Sequence, residues 1–264
     1  MKNFTTLFLS VLLTVICTAN MQAQQNRPEG PNAEELRQAN NPLASKKTIN
    51  IHNYAVTSLY GLPDVTMNNL NVRYAQPVGR VFLRASMPLM TANVPGVSPT
   101  TGFGDFSLFA IYTFPKQPKG TYVGVGPMLV APTGSHGFGQ EKWQAGLSAV
   151  AFFARNPAIQ YGMLLQWQAS FADTDQEAEE VSLLTPQFFA MWQLGAGTYL
   201  RSTGVWTFDL RSGNYNIPLG LGIGKVVKAG GTIFNLFAEP QFSVLSEGIG
   251  QSRFQLFIGV NTQF

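Results

Sequence analysis

At the C-terminus, side-chain character alternates with a period of two. Phe254, Leu256, Ile258, Val260, Thr262 and Phe264 share one parity, while Arg253, Gln255, Gly259, Asn261 and Gln263 share the other. A helix repeats every 3.6 residues, so this segment reads as a strand with one apolar and one wet face. The same pattern recurs in twelve segments, at about 48–59, 68–78, 80–90, 104–114, 121–132, 143–154, 158–171, 181–194, 198–210, 216–227, 232–245 and 252–264. Each is bounded by glycine, proline, asparagine or charged residues, and each is long enough for a tilted strand to cross a bilayer. The pattern predicts an all-β fold, a transmembrane antiparallel up-and-down β-barrel of about 12 strands.

The connections are a second test. Short turns at Gly79, 115–120, 155–157, 195–197 and 228–231 alternate with longer loops centred on Pro63, Pro95, His136, Asp175, Ser212 and Gly248. Outer-membrane barrels place short turns in the periplasm and long loops outside, which puts both termini on the periplasmic side. Charge follows parity as well. Arg73, Arg80, Arg84, Asp105, Arg201, Asp209, Glu239 and Arg253 fall inward; only Lys225 falls outward, near enough to its strand end to snorkel.

Composition excludes several alternatives. Only 12% of residues are charged, about half the fraction of an average soluble domain. No apolar run outside the leader reaches the length of a transmembrane helix. A soluble β-sandwich also alternates, but it does not account for the outward row Tyr161, Met163, Leu165, Trp167 and Phe171. The formal net charge of +3 without a basic run argues against a nucleic-acid partner.

Residues 1–23 read as a signal peptide: Lys2 precedes an apolar stretch from Phe4 to Ile16, and Ala23, or alternatively Ala19, precedes the cleavage site. Cys17, the only cysteine, lies in this leader, and Ile16 is too bulky for the position before a lipidated cysteine. Residues 24–47 form an N-terminal periplasmic segment and 48–264 the barrel. Asn32 followed by Glu35 has the spacing of a capping box, which predicts a short helix over 33–39. That helix either plugs the barrel or stays a solvated tail.

Several motifs also resemble a known family. Asn41-Pro42-Leu43-Ala44, Gly102-Phe103-Gly104-Asp105, Gly124-Val125-Gly126-Pro127 with Pro132-Thr133, and the run from Ile217 to Lys225 are similar to outer-membrane proteins of the MetA-pathway-of-phenol-degradation family. The resemblance covers nearly the whole chain after the leader. It implies an outer-membrane barrel that handles small aromatic or hydrophobic compounds, and it supplies no catalytic or substrate-binding residues.

Inward charges are the candidate pore-lining residues. Arg73 and Arg84 are equidistant from the turn near Gly79, so they are expected to face each other, with Glu239 at similar height as the counter-charge. This cluster reads either as a constriction with a transverse field or as a zip that closes the lumen. Arg201 and Asp105 add charge, and Gln166, Gln168 and Gln187 form a neutral polar wall. The inward row Pro218, Gly220, Gly222 and Gly224, faced by Gly124 and Gly126, leaves either space or curvature.

Catalytic chemistry finds little support. Ser135 and His136 are adjacent and point opposite ways on a strand, and no cofactor or metal site is expected. The acidic loop Asp173, Asp175, Glu177, Glu179 and Glu180 either binds divalent cations that bridge lipopolysaccharide or is simply solvated. The sequence thus predicts an outer-membrane channel or transporter for small-molecule solutes, surrounded by lipid and lipopolysaccharide. The barrel-assembly machinery would engage the last strand, which ends at Phe264. The alternatives are a closed structural or lipid-interacting barrel and a surface lipid hydrolase using Ser135 and His136.

Overall fold

The tightest turns fix the strand register. Val78 pairs with Val81 across a two-residue turn in which Gly79 takes a φ of +59°, the positive φ that primed hairpin turns require. In a computed structural model, which describes residues 30–173 and 178–264, this hairpin belongs to a single continuous sheet. The leader expected over 1–23, together with Asp175, Glu177 and the side chain of Asp173, lies outside the described residues.

The elements are α1 (Ala33–Ala39), β1 (Thr48–Leu59), β2 (Thr66–Val78), β3 (Val81–Asn93), β4 (Thr100–Phe103), β5 (Phe106–Thr113), β6 (Thr121–Ala131), β7 (Lys142–Asn156) and β8 (Ile159–Asp173). They continue as β9 (Ser182–Gly195), β10 (Thr198–Ser202), β11 (Thr207–Asp209), β12 (Tyr215–Gly220), β13 (Gly222–Ala229), β14 (Thr232–Glu247) and β15 (Ser252–Gln263). Three crossings are built from two pieces each: β4 with β5, β10 with β11, and β12 with β13. The sheet is therefore a barrel of 12 antiparallel staves, closed where β1 pairs with β15 from Thr48↔Gln263 to Leu59↔Ser252. Each alternating segment of the sequence corresponds to one stave. The main departures are at the long-loop ends, where β3 runs on to Asn93 and β14 to Glu247.

Parity separates the two faces. Outward side chains such as Leu147, Phe171, Leu221 and Phe242 are more than half exposed, whereas inward Ile111, Phe152, Tyr199 and Phe257 are buried. An apolar face left open to the surroundings is what lipid requires and water penalises. Lys225, the one outward charge of the sequence pattern, turns its ammonium to the short-turn end, donating to the Ala196 carbonyl at 2.6 Å and the Thr198 hydroxyl at 3.0 Å.

α1 coincides with the helix expected over 33–39. The Asn32 side chain accepts from the Glu35 amide at 2.9 Å, and the Glu35 carboxylate accepts from the Asn32 amide at 2.8 Å, which closes the capping box. The segment is tied to strands all round the barrel. Gln38 donates to the Tyr122 hydroxyl on β6, Asn40 to Gln160 on β8, Asn235 of β14 to the Ala39 carbonyl, and Gln263 of β15 to the Gln38 carbonyl. It sits inside the short-turn end of the lumen.

The lipid-facing parity makes a direct prediction. Leu165→Arg, outward and mid-stave on β8, is expected to lower unfolding free energy in bilayers by about 2–4 kcal/mol. Gln168→Lys on the inward parity of the same stave should cost well under half of that in a denaturant titration.

Candidate functional site

The inward glycines of β13 decide what crosses the lumen wall. Beside Gly222, a side chain would run into Glu239 of β14, with Cβ 2.6 Å from the Glu239 Cβ. A Cβ on Gly220, the last residue of β12, would stand 2.7 Å from Glu239 Oε1, and one on Gly224 would run into the Tyr199 ring. Side chains of β10 therefore lie across β13 and reach β14. The Tyr199 hydroxyl donates to Asn235 Oδ1 at 2.6 Å, and Arg201 Nε donates to Glu239 Oε2 at 2.8 Å. The row provides neither empty space nor merely curvature; its room is filled by these bridges. Gly124 and Gly126 are closed in by β5 instead, a Cβ on Gly124 meeting the Ile111 side chain and the Tyr112 oxygen and one on Gly126 the Ala110 oxygen.

Glu239 is wholly buried and its oxygens are fully used. Besides Arg201, the Thr203 amide donates at 2.8 Å, the Thr203 hydroxyl at 2.7 Å and Gln241 Nε2 at 2.9 Å. The Arg201 guanidinium also donates to Thr203 Oγ1 at 2.7 Å and lies 3.5 Å over the Phe237 ring. This corrects the expected charge cluster, since Glu239 answers Arg201 two staves away rather than Arg73 and Arg84.

The expected facing of Arg73 and Arg84 is also corrected. Arg73 pairs with Ser86 and Arg84 with Ala75, so the two arginines are diagonal neighbours. The turn is centred between Gly79 and Arg80, which shifts the partner sum by two residues and keeps both side chains inward. Arg73 Nη1 donates to Nδ1 of His52 at 3.2 Å, which leaves the ring proton on Nε2 to be donated to Asn261 Oδ1 at 2.7 Å. The Arg84 guanidinium sits 4.1 Å from the centre of the Phe109 ring.

These residues surround a chamber of about 120 Å³ in the middle of the lumen. Arg73, Arg84, Arg201 and Gln187 line it, and residues 39–42 with Ala44 close it toward the short turns. A second, wider space of about 510 Å³ lies beyond, between the N-terminal segment and the walls of β3, β5 and β6. Ala44 and Phe82 line both spaces. The other expected site residues lie elsewhere. Gln168 donates to Gln144 at 2.7 Å and Gln166 to the Ser148 hydroxyl at 3.2 Å, a neutral layer on the long-loop side. Asp105 accepts from the amides of Gly134 at 2.9 Å and Gln140 at 2.7 Å, which clamps the loop after β6.

Sequence reasoning missed the aromatic lining. Phe257 shares the inward parity of Gln255 and Gly259, and it packs against Phe237, His52 and Tyr54 at centroid distances of 4.9, 5.3 and 4.2 Å. Parity alone was enough to place it. In the external loops, Ser135 Oγ accepts from the Phe103 amide and His136 contacts only Glu141. Glu180 binds Ser170, Lys142 and Arg211; the Ser170 hydroxyl and the Lys142 charge hold its carboxyl below the usual range.

With the geometry in hand, comparison shows the fold. The chain is similar to the COG4313 outer membrane channel from Pseudomonas putida F1, with a TM-score of 0.62 and 16% identity over 83% of this chain and 96% of that one. It is also similar to the KdgM porin, with a TM-score of 0.51 and 10% identity over 82% and 99% of the two chains. The same barrel in complex with disordered oligogalacturonate matches equally well. No protein-family model matches the chain, and no curated protein does. The architecture is that of an outer-membrane barrel.

Because Glu239 has no contact with water, leaving Arg201 without it is expensive. Glu239→Gln is expected to destabilise the barrel by about 3–5 kcal/mol. Combining it with Arg201→Met should recover most of that loss, measured as a double-mutant cycle in denaturant.

Proposed function

We propose that the protein is an outer-membrane channel for the passive passage of small molecules, with residues 30–47 as an inlaid gate at the periplasmic end. The observation that carries this reading is the hollow lumen. A barrel of this size can be filled solid by inward side chains, yet the described residues leave a chamber of about 120 Å³, and the wider space at the short-turn end shares Ala44 and Phe82 with it as lining residues. The similarity of fold to a channel and a porin supports the reading without naming a solute. The aromatic lining agrees with the small aromatic or hydrophobic compounds that the family resemblance implies. Export by the leader, insertion through the last strand ending at Phe264, and contact with lipopolysaccharide belong to the same proposal.

The gate is held by polar contacts that a modest perturbation can release. Lys228 Nζ lies 2.7 Å from Glu35 Oε1, and Glu34 pairs with Arg37 on the same helix. The Lys228 hydrogen bond, followed by the Asn32 amide, holds the Glu35 carboxyl below the usual range. A lowered carboxyl stabilises docking fully above the ordinary glutamate value, and that contribution is lost as pH falls through the lowered one.

Single-channel recording in planar bilayers tests the reading. The chain from residue 24 onward should show small discrete steps, and deletion of 30–44 should enlarge them. Acidification below about pH 4 should raise open probability, whereas Glu35→Gln should be open at neutral pH and lose that pH dependence. A folded deletion variant that passes no current would overturn the channel reading.

A further inference from the structure

Two cations face the chamber with no opposite charge. Arg73 makes one hydrogen bond, to His52, and its Nε is buried without a partner. Arg84 makes no hydrogen bond to a described residue, and its Nε is likewise buried and unpartnered. Among the described residues, none that lines the chamber is a carboxylate, and Glu239 behind it is spent on Arg201, Thr203 and Gln241. His52 cannot serve as an acceptor for a ligand proton, because Arg73 occupies its Nδ1 and Asn261 takes its Nε2 proton.

A buried guanidinium that lacks both counter-charge and hydrogen bonds costs free energy. Its planar fork of donors matches the two coplanar oxygens of a carboxylate, as it also matches a phosphate. Diagonal positions on neighbouring strands stand roughly 7–8 Å apart, close enough for both forks to converge on one carboxylate. The rest of the wall is mixed: Asn50, Gln187, Asn235 and Asn261 give it neutral polar groups, and Phe82, Phe189, Phe237 and Phe257 are its largest apolar pieces. At roughly 30 Å³ per water, a space of about 120 Å³ equals about four waters, which is about the volume of one ring.

We infer that the chamber binds a small organic carboxylate with an apolar, ring-sized body. Arg73 and Arg84 hold the carboxylate, while Phe82, Phe237 and Phe257 receive the body. The inference rests on the channel reading and narrows it, since it gives the solute a charge as well as an apolar part. A purely inorganic anion would leave the aromatic wall unused, and a neutral ring would leave both guanidiniums unanswered.

Isothermal titration of the detergent-solubilised chain from residue 24 onward tests it with three probes: benzoate, its neutral relative benzyl alcohol, and acetate. Benzoate is expected to bind at one saturable site, at least tenfold tighter than benzyl alcohol or acetate. Arg73→Gln and Arg84→Gln should each weaken benzoate at least tenfold, and Arg84→Lys should weaken it less. Folding of each variant is checked by heat-modifiable electrophoretic mobility. Equal binding of benzoate and benzyl alcohol, equal binding of benzoate and acetate, or unchanged benzoate affinity in a folded Arg84→Gln variant overturns the inference. If a variant does not fold, the three-probe comparison on the unaltered chain decides alone. Failure here differs from failure of the channel reading: current without benzoate binding overturns only this inference, and benzoate binding to the chain from residue 24 onward, with an electrically silent deletion variant, overturns only the channel.

Discussion

Closure of the hydrogen-bonded ring is the constraint from which the rest follows. In hydrocarbon no water satisfies an open strand edge, so β1 must find β15 and every stave must pair on both sides. Once the ring is closed, side-chain parity is fixed, and each inward residue has to share one narrow lumen with the inward residues of all other staves. The lumen then becomes a problem in disposing of polar groups. α1 and the residues after it meet part of that demand by supplying backbone carbonyls to Asn235 and Gln263.

Most of the architecture was legible in the sequence because its signals are local. Alternation in residues 252–264 or 158–171 is set by the two faces of a single stave, and the turn residues lie next to the strands they join. The capping box of Asn32 and Glu35 is equally local, and the helix it starts has the expected bounds. Even the outward Lys225 could be placed, since its distance from the turn at 228–231 is a count along the chain.

What escaped depends on register and reach across staves. A shift of the turn centre from Gly79 to the bond after it changes the partners of Arg73 and Arg84 while preserving their parity. The link between Arg201 and Glu239 needs three things at once: the β10 to β13 register, a glycine at 222, and a side chain long enough to cross an intervening stave. The glycine row was visible, but its purpose lies in residues of two other staves. The quoted motifs gain physical roles in the same way. Residues 41–44 help close the chamber, Asp105 clamps the loop after β6, and Gly220, Gly222 and Gly224 form the trough that the bridges cross.

The same lumen treats its arginines in two opposite ways, and the contrast bears on function. Arg201 is given a carboxylate, a threonine and an aromatic face, so it acts as a brace whose charge does not reach a solute. Arg84, six staves round the ring by way of β15, β1 and β2, has an aromatic face and, among the described residues, nothing that accepts a hydrogen bond. Both sit in a cylinder whose hydrogen-bonded ladder closes on itself. Such a cylinder tolerates an unanswered cation that a small soluble core would not. The fold itself has no use for the open donors of Arg73 and Arg84, and the one group positioned to use them is whatever enters the chamber.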